Sequence, residues 1–150
     1  MIMDNTFMKE ALKLARKAEE QGEIPVGAVV VRNGEIIGRG YNQRESRKNA
    51  VLHAEMIAIE EACGVVGDWR LRDCTLYVTL EPCPMCAGAI VNSRIERVVF
   101  GTSDRIAGCC GSLINFNAYP FNHTFAIEKG ICEDECKDIL KGFFESRRQK

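Results

Sequence analysis

The sequence predicts an α/β protein, with a sheet of about five strands and helices on both faces. β-Branched apolar runs alternate along the chain with longer segments of helical hydrophobic spacing. Between residues 74 and 100 a strand, a helix and a second strand follow one another, the order of a right-handed crossover that joins parallel strands. Asn33-Gly34 between two apolar runs adds an antiparallel hairpin, which makes the sheet mixed. We expect residues 1–150 to form a single domain.

The first element illustrates how the helices are predicted. Apolar residues fall at helical spacing from Thr6 to Gln21, with Asp4 or Asn5 available as the cap. Gly22 is positioned to end this helix. The other predicted elements are strands at 24–32, 35–41, 74–80, 95–100 and 124–128, and helices at 53–63, 85–91 and 133–148.

Composition excludes several classes of protein. With 150 residues and 46% apolar content, the chain can fold without a disulfide or metal staple, so a bound metal would serve chemistry first. Eight cysteines also fit a secreted scaffold, but no apolar signal segment precedes Phe7, and we expect a reduced, cytoplasmic protein. No apolar run approaches the ~20 residues that span a bilayer. The net charge of −1 lacks the basic excess of a nucleic-acid binder and leaves only a local basic patch for such a partner.

The stretch from Thr79 to Cys86 supplies two cysteines at the end of an apolar strand and the start of a helix. Cysteines at this spacing can point at one ion, and the positive end of the helix dipole favours their thiolate forms. The chain contains two histidines, His53 and His123. His53 is the better third ligand because it begins a buried helix, where an unpartnered imidazole is costly. Three protein ligands leave the fourth position of a zinc ion to water, as in catalytic sites.

Glu55 lies two residues beyond His53, a spacing that does not place both side chains on the same helix stripe. A carboxylate beside a zinc-activated water can take up its proton and return it to a leaving group. A redox pair or a structural zinc knuckle would also explain two cysteines, and a lone histidine is commonly a satisfied core residue. The combination of His53-x-Glu55 with Cys83-x-x-Cys86 favours the catalytic interpretation.

The other candidate residues carry weaker signals. Six cysteines outside this pattern are expected to be small apolar fillers. For His123 a surface loop position and a substrate contact both remain open, and Trp69 is expected to anchor packing.

The combined motif is the signature of the zinc-dependent cytidine and adenosine deaminases. The chain resembles the bacterial tRNA-specific adenosine deaminases along nearly its whole length, and the segment after Gly101 points to that branch. The matching segments are Pro25 to Val29, His53 to Glu55, Leu76 to Phe100, Gly111 to Leu113, Asn122-His123, Phe143-Phe144 and Arg147-Arg148.

The resemblance implies a three-layer α/β/α cytidine-deaminase-like fold, a cytoplasmic homodimer without a membrane partner, and one Zn²⁺ per chain held by His53, Cys83 and Cys86. It also implies hydrolytic deamination of adenosine to inosine at the wobble position of tRNA. The ion would activate a water molecule, and Glu55 would remove its proton as hydroxide attacks C6 of adenine. Glu55 would then protonate the departing amine, which leaves as ammonia.

The resemblance further assigns residues to the substrate. The expected contacts are Asn42 and the Ala54 N–H with the base, Ile24 and Leu80 as pocket walls, Asp104, Asn122 and His123 with nucleotides around the flipped base, and Phe144, Arg147 and Arg148 with the anticodon loop.

Two departures from the family pattern leave alternatives open. The last helix carries several acidic residues, and Ile106 stands where a lysine is usual. Both would reduce contact with phosphates. One alternative is a deaminase of a free nucleobase or nucleoside of guanine or cytosine type. The other is a non-catalytic zinc-stabilised binding module, which requires a fourth protein ligand and tolerates Glu55→Gln.

Overall fold

The computed structural model describes residues 2–148. Its elements are helices α1 (Ile2–Glu20), α2 (Ala54–Val66), α3 (Pro84–Ser93) and α4 (Glu133–Arg148), strands β1 (Gly27–Arg32), β2 (Glu35–Tyr41), β3 (Cys74–Leu80), β4 (Arg97–Thr102) and β5 (Ala126–Lys129), and a short 3₁₀ helix (Phe116–Ala118). The five strands and four helices lie where the sequence predicts them, to within a few residues at their ends. No helix in this described part of the chain is long and apolar enough to cross a membrane.

The sheet is mixed, with strand order β2-β1-β3-β4-β5. β1 runs antiparallel to both β2 and β3, and Asn33-Gly34 at the hairpin turn has positive φ at both residues. β3, β4 and β5 are parallel to one another. The end of β3 is therefore directed to the same edge of the sheet as the end of β4, where Leu80 is paired with Thr102.

Helices cover both faces of the sheet, as its side chains require. Along β1, Val29 and Val31 pack in the same core as α1 and α4, whereas Ala28 and Val30 pack in the core of α2 and α3. This alternation follows from the two-residue period of a strand. Both sides of β1 are apolar because neither face of the sheet is left to water.

Two glycines of β2 let α2 approach the sheet very closely. A Cβ atom at Gly40 would lie 2.1 Å from the carbonyl oxygen of Ala54, and one at Gly38 would lie 2.2 Å from that of Ala58. Real Cβ atoms do not come so near to backbone oxygens. The first turns of α2 are therefore seated directly on the backbone of β2.

The expected start of α1 is wrong. The helix begins at Ile2 and already includes Asp4, so Asp4 and Asn5 do not cap it. The buried Asp4 carboxylate instead accepts hydrogen bonds from Tyr77 (2.6 Å) and from two guanidinium nitrogens of Arg97 (3.0 and 2.7 Å). The hydrogen bond from Arg97 is the main cause that lowers the pKa of Asp4 to about 2.

Asp4→Asn is expected to destabilise the fold by about 2 kcal/mol at pH 7. The pKa of the Asp4 carboxyl falls to about 2 in the folded protein, and a shift of one pKa unit corresponds to about 1.4 kcal/mol. The pKa of Asp4 is lower in the folded than in the unfolded chain, so its contribution is complete above pH ~4 and is lost as the pH falls towards 2. Urea unfolding at several pH values measures this. The exposed Asp138→Asn is the control, and a difference between variant and wild type that stays constant from pH 7 to pH 2.5 would contradict the assignment.

Candidate active site

Two helices begin at the same end of the structure, and each is preceded by a predicted metal ligand. His53 is the residue before α2, and Cys83 is the residue before α3. Both have extended backbones, and neither side chain caps its own helix. Pro84 follows at the first helical position, as predicted, where its missing N–H costs nothing. The two side chains are thus available to each other.

The three predicted ligands come together. Nδ1 of His53 lies 3.6 Å from the sulfur of Cys83 and 3.7 Å from that of Cys86. Bond lengths of about 2.3 Å to sulfur and 2.0–2.1 Å to nitrogen place such atoms about 3.6 Å apart around a tetrahedral zinc ion. These side chains therefore fit zinc in both donor chemistry and spacing. Three ligands leave one coordination position for water or substrate.

The two thiols of the cluster differ in pKa, which is lowered for Cys83 and raised for Cys86. A hydrogen bond from Cys86 lowers the pKa of Cys83 to about 4. A hydrogen bond from His53 contributes less in the same direction, and burial opposes the shift. The pKa of Cys86 is raised by its hydrogen bond to Cys83 and by burial. The hydrogen bond with Cys83 raises the pKa of His53. Metal binding requires both thiolates and a neutral imidazole, so uptake of zinc releases protons.

Glu55 lies in the first turn of α2 and is only 4% exposed. Burial raises the pKa of its carboxyl to about 7, and the negative charge on Cys83 acts in the same direction. The positive end of the α2 dipole partly offsets the cost of the charged form. A carboxyl with a pKa near neutrality can both accept and donate a proton, as a general acid–base requires.

A cleft with a volume of about 580 Å³ contains His53, Glu55 and Cys83. Most of the residues predicted to bind substrate also line it. These are Ile24, Asn42, Leu80, Asp104, Phe144 and Arg147.

Asn42 and Ala54 are hydrogen-bonded to each other. The N–H of Ala54 donates to Oδ1 of Asn42 (2.9 Å), and Nδ2 of Asn42 donates to the carbonyl oxygen of Ile24 (3.1 Å). Asn42 therefore connects the segment before β1 to the start of α2. A base that binds here has to compete with the Ala54 N–H contact, or use the second N–H of Asn42 Nδ2 as a donor and the free lone pair of Oδ1 as an acceptor.

Three predicted substrate residues have other partners or positions. Nε2 of His123 lies 2.7 Å from the carbonyl oxygen of Ile95, and neither His123 nor the exposed Asn122 is among the described residues that line the cleft. Arg147 lines the cleft, but its guanidinium donates to the carbonyl oxygen of Gly22 (2.6 Å) and lies over the ring of Phe143.

Two buried glutamates that the sequence analysis did not single out line the cleft as well. Glu23 is 1% exposed and accepts the backbone N–H groups of Glu45 (3.1 Å) and Ser46 (2.6 Å). Burial opposes ionisation of Glu23, but these donors prevail and lower its pKa. Glu81, 2% exposed, holds the loop after β4. The sequence signal that could have identified them is an acidic residue next to an apolar strand. Glu81 directly follows such a strand, and Glu23 comes just before one.

The sequence of residues 1–102 matches the family model of the cytidine and deoxycytidylate deaminase zinc-binding region. The chain belongs to this family. Its resident metal is zinc, and its resemblance to zinc-dependent deaminases is confirmed, together with the expected α/β deaminase fold.

Relatives extend the similarity beyond the zinc-binding region. The tRNA-specific adenosine deaminase of Bacillus subtilis (strain 168) is 54% identical over 151 residues, covering 100% of this chain and 94% of that protein. The chloroplastic tRNA(adenine(34)) deaminase of Arabidopsis thaliana is 42% identical over 162 residues, which cover 97% of this chain and 12% of that protein.

Solved structures show the same fold. A structure from a study of A-to-I editing by tRNA:A34 deaminases at the wobble position of transfer RNA has a TM-score of 0.87 and 40% identity, covering 90% of this chain and 99% of that one. A guanine deaminase from Bacillus subtilis has a TM-score of 0.62 and 43% identity, over 65% of this chain and 63% of that one.

Proposed function

We propose that this protein deaminates adenosine to inosine at the wobble position of a tRNA, with water as co-substrate and ammonia as the second product. The observation that carries the reaction type is the position of the buried Glu55 beside the His53, Cys83 and Cys86 cluster in one cleft. Full-length similarity to tRNA-specific adenosine deaminases supports the choice of substrate. Residues 1–150 act as a single deaminase domain in this proposal.

Zinc, when bound by His53, Cys83 and Cys86, supplies Lewis-acid activation of water. Glu55 takes the proton from the water that attacks C6 of adenine and later gives a proton to the amine that leaves. Ile24 and Leu80 provide apolar walls for the base. Asn42 and the Ala54 N–H orient it.

The RNA contacts lie at the mouth of the cleft in this proposal. Asp104, Phe144 and Arg147 line it, and Arg44 adds a cation on the side formed by the loop after β2. Arginine and aromatic side chains are suited to phosphates and unstacked bases, respectively. Asn122, His123 and Arg148 remain proposed contacts for nucleotides farther from the reacting base.

A cytoplasmic homodimer is also part of the proposal. Tyr119 and Phe121 are each 46% exposed, their ring centroids lie 6.0 Å apart, and Phe121 packs on Phe116. This apolar surface is suited to docking of a second copy. A mass near the 16.8 kDa of one chain in light scattering would contradict the dimer.

Purified protein is expected to form inosine in an anticodon stem-loop that carries adenosine at the wobble position. The same stem-loop with the adenosine moved to another loop position is the matched control. Parallel reactions contain free adenosine, cytosine or guanine, because the similarity to a guanine deaminase keeps a free base as the second candidate. Nuclease digestion followed by chromatography detects inosine. Ammonia released from a free base without inosine in the RNA would overturn the proposal.

A non-catalytic zinc module has less support. It would use a fourth protein ligand, and within residues 2–148 the cluster contains His53, Cys83 and Cys86 only.

A further inference from the structure

Glu81 is a buried carboxylate in the cleft that the reaction does not use. It follows the last residue of β3 and precedes Pro82 and the zinc ligand Cys83. Its side chain is directed to the segment from Ser103 to Ser112, which follows β4 and is called the 103–112 loop below. A buried carboxylate is costly unless donors surround it, so its partners indicate what it does.

The carboxylate of Glu81 accepts four hydrogen bonds from this loop. Oε1 accepts the N–H of Asp104 (3.0 Å) and the hydroxyl of Ser112. Oε2 accepts the N–H of Cys110 (2.9 Å) and that of Ser112 (3.1 Å). One side chain thus holds both ends of the 103–112 loop, and donors of this kind bind an ionised acceptor more strongly than a neutral one.

Backbone contacts join the same two segments. The N–H of Glu81 donates to the carbonyl oxygen of Thr102 (2.9 Å). The N–H of Cys109 donates to the carbonyl oxygen of Pro82 (2.9 Å). A Cβ atom at Gly108 would lie 2.4 Å from the carboxyl carbon of Glu81. The loop therefore closes tightly around this carboxylate.

The 103–112 loop contributes Asp104 and Ala107 to the cleft that contains Glu55 and the metal ligands. Oδ1 of Asp104 is occupied by the N–H groups of Ile106 (3.0 Å) and Ala107 (3.2 Å), which shapes the turn at this wall. Glu81 is two residues from Cys83, so its hydrogen bonds join this wall to the segment that carries a metal ligand.

We propose that Glu81 is a positioning residue for the RNA substrate, which fixes the wall formed by Asp104 and Ala107 against the nucleotides next to the reacting base. The inference rests on the proposed function for the identity of the substrate. Glu81 does not touch the reacting atoms, and its effect is on binding of the RNA rather than on the chemical step.

Glu81→Gln tests this inference. Glutamine keeps the size of the side chain but turns an NH₂ group towards backbone N–H donors, so that part of the loop loses its acceptor. We expect KM for the stem-loop to rise by up to about tenfold, because RNA binding then has to restore the loop order that one charge-assisted hydrogen bond had maintained. The change in kcat stays below about threefold. The zinc content stays at one ion per chain. Amide hydrogen exchange in the 103–112 loop becomes faster, while exchange in β3 and α3 does not.

The exposed Leu113→Ala, next to the same loop, is the matched control and is expected to resemble wild type. If Glu81→Gln does not fold, Ser112→Ala removes a single hydroxyl donor and is expected to raise KM by about threefold. Loss of zinc, a fall in kcat at unchanged KM, or unchanged loop exchange would overturn the positioning role. Wild-type protein that forms no inosine would contradict the proposed function instead, and the exchange measurement would still test the hold of Glu81 on the loop.

Discussion

Glu55→Gln is expected to lower kcat on the stem-loop by about 10²–10⁴-fold, the contribution typical of a positioned general acid–base. The amide has nearly the shape of the carboxyl and can stay in the buried first turn of α2, so the fold should persist. Because Glu55 is not a member of the ligand cluster, the variant should still contain one zinc ion per chain. Single-turnover kinetics and metal analysis of the same sample measure both quantities.

Glu60→Gln provides the matched control, because Glu60 lies on the same helix but is exposed. It should leave kcat and zinc content unchanged. Full activity of Glu55→Gln would show that Glu55 takes no part in the reaction. Loss of zinc would show that Glu55 is needed to hold the metal.

Cys86→Ser is expected to abolish both stable zinc binding and activity. A serine hydroxyl remains protonated at neutral pH and is a poor ligand for zinc, and Cys86 is fully buried at the centre of the cluster. After dialysis against a chelator, zinc should fall below about a tenth of an ion per chain. Activity should fall by at least about 10³-fold, because the pKa of water returns from about 7 towards 15.7 without the ion.

Cys74→Ser is the control for this substitution, since Cys74 is equally buried but belongs to β3 and its thiol donates to the carbonyl oxygen of Arg72. It should retain zinc and activity. A Cys86→Ser variant with one tightly bound zinc ion would show that the thiolate of Cys86 is not a ligand.

Features with a local cause could be predicted from the sequence. The strand that ends before Cys83 and the proline at the start of α3 are short-range patterns, and they place the metal ligands at a helix start. The hairpin at Asn33-Gly34 is another. His53 could be chosen because the chain offers only two histidines.

The remaining features depend on partners far away in the chain. The Asp4 carboxylate accepts hydrogen bonds from Tyr77 and Arg97 instead of capping its own helix. Glu81 accepts hydrogen bonds from N–H groups that follow it by more than 20 residues. The sequence around Asp4 and Glu81 does not distinguish these buried carboxylates from acidic residues exposed to solvent. Trp69, expected to anchor packing, is 51% exposed, and the guanidinium groups of Arg70 and Arg94 lie 4.3 and 5.5 Å from the centroid of its ring. Such an arrangement depends on loops that only the folded chain brings together.

The seating of α2 on Gly38 and Gly40 separates the molecule into a fixed part and an adjustable part. Any side chain added at Gly38 or Gly40 would push away the helix that carries Glu55, so these two positions tolerate little redesign. The rims of the cleft are different, because Glu23 and Glu81 hold them through side-chain contacts to loops. Attempts to change which nucleic acid or base this protein accepts should therefore begin with those loops and leave β2 unchanged.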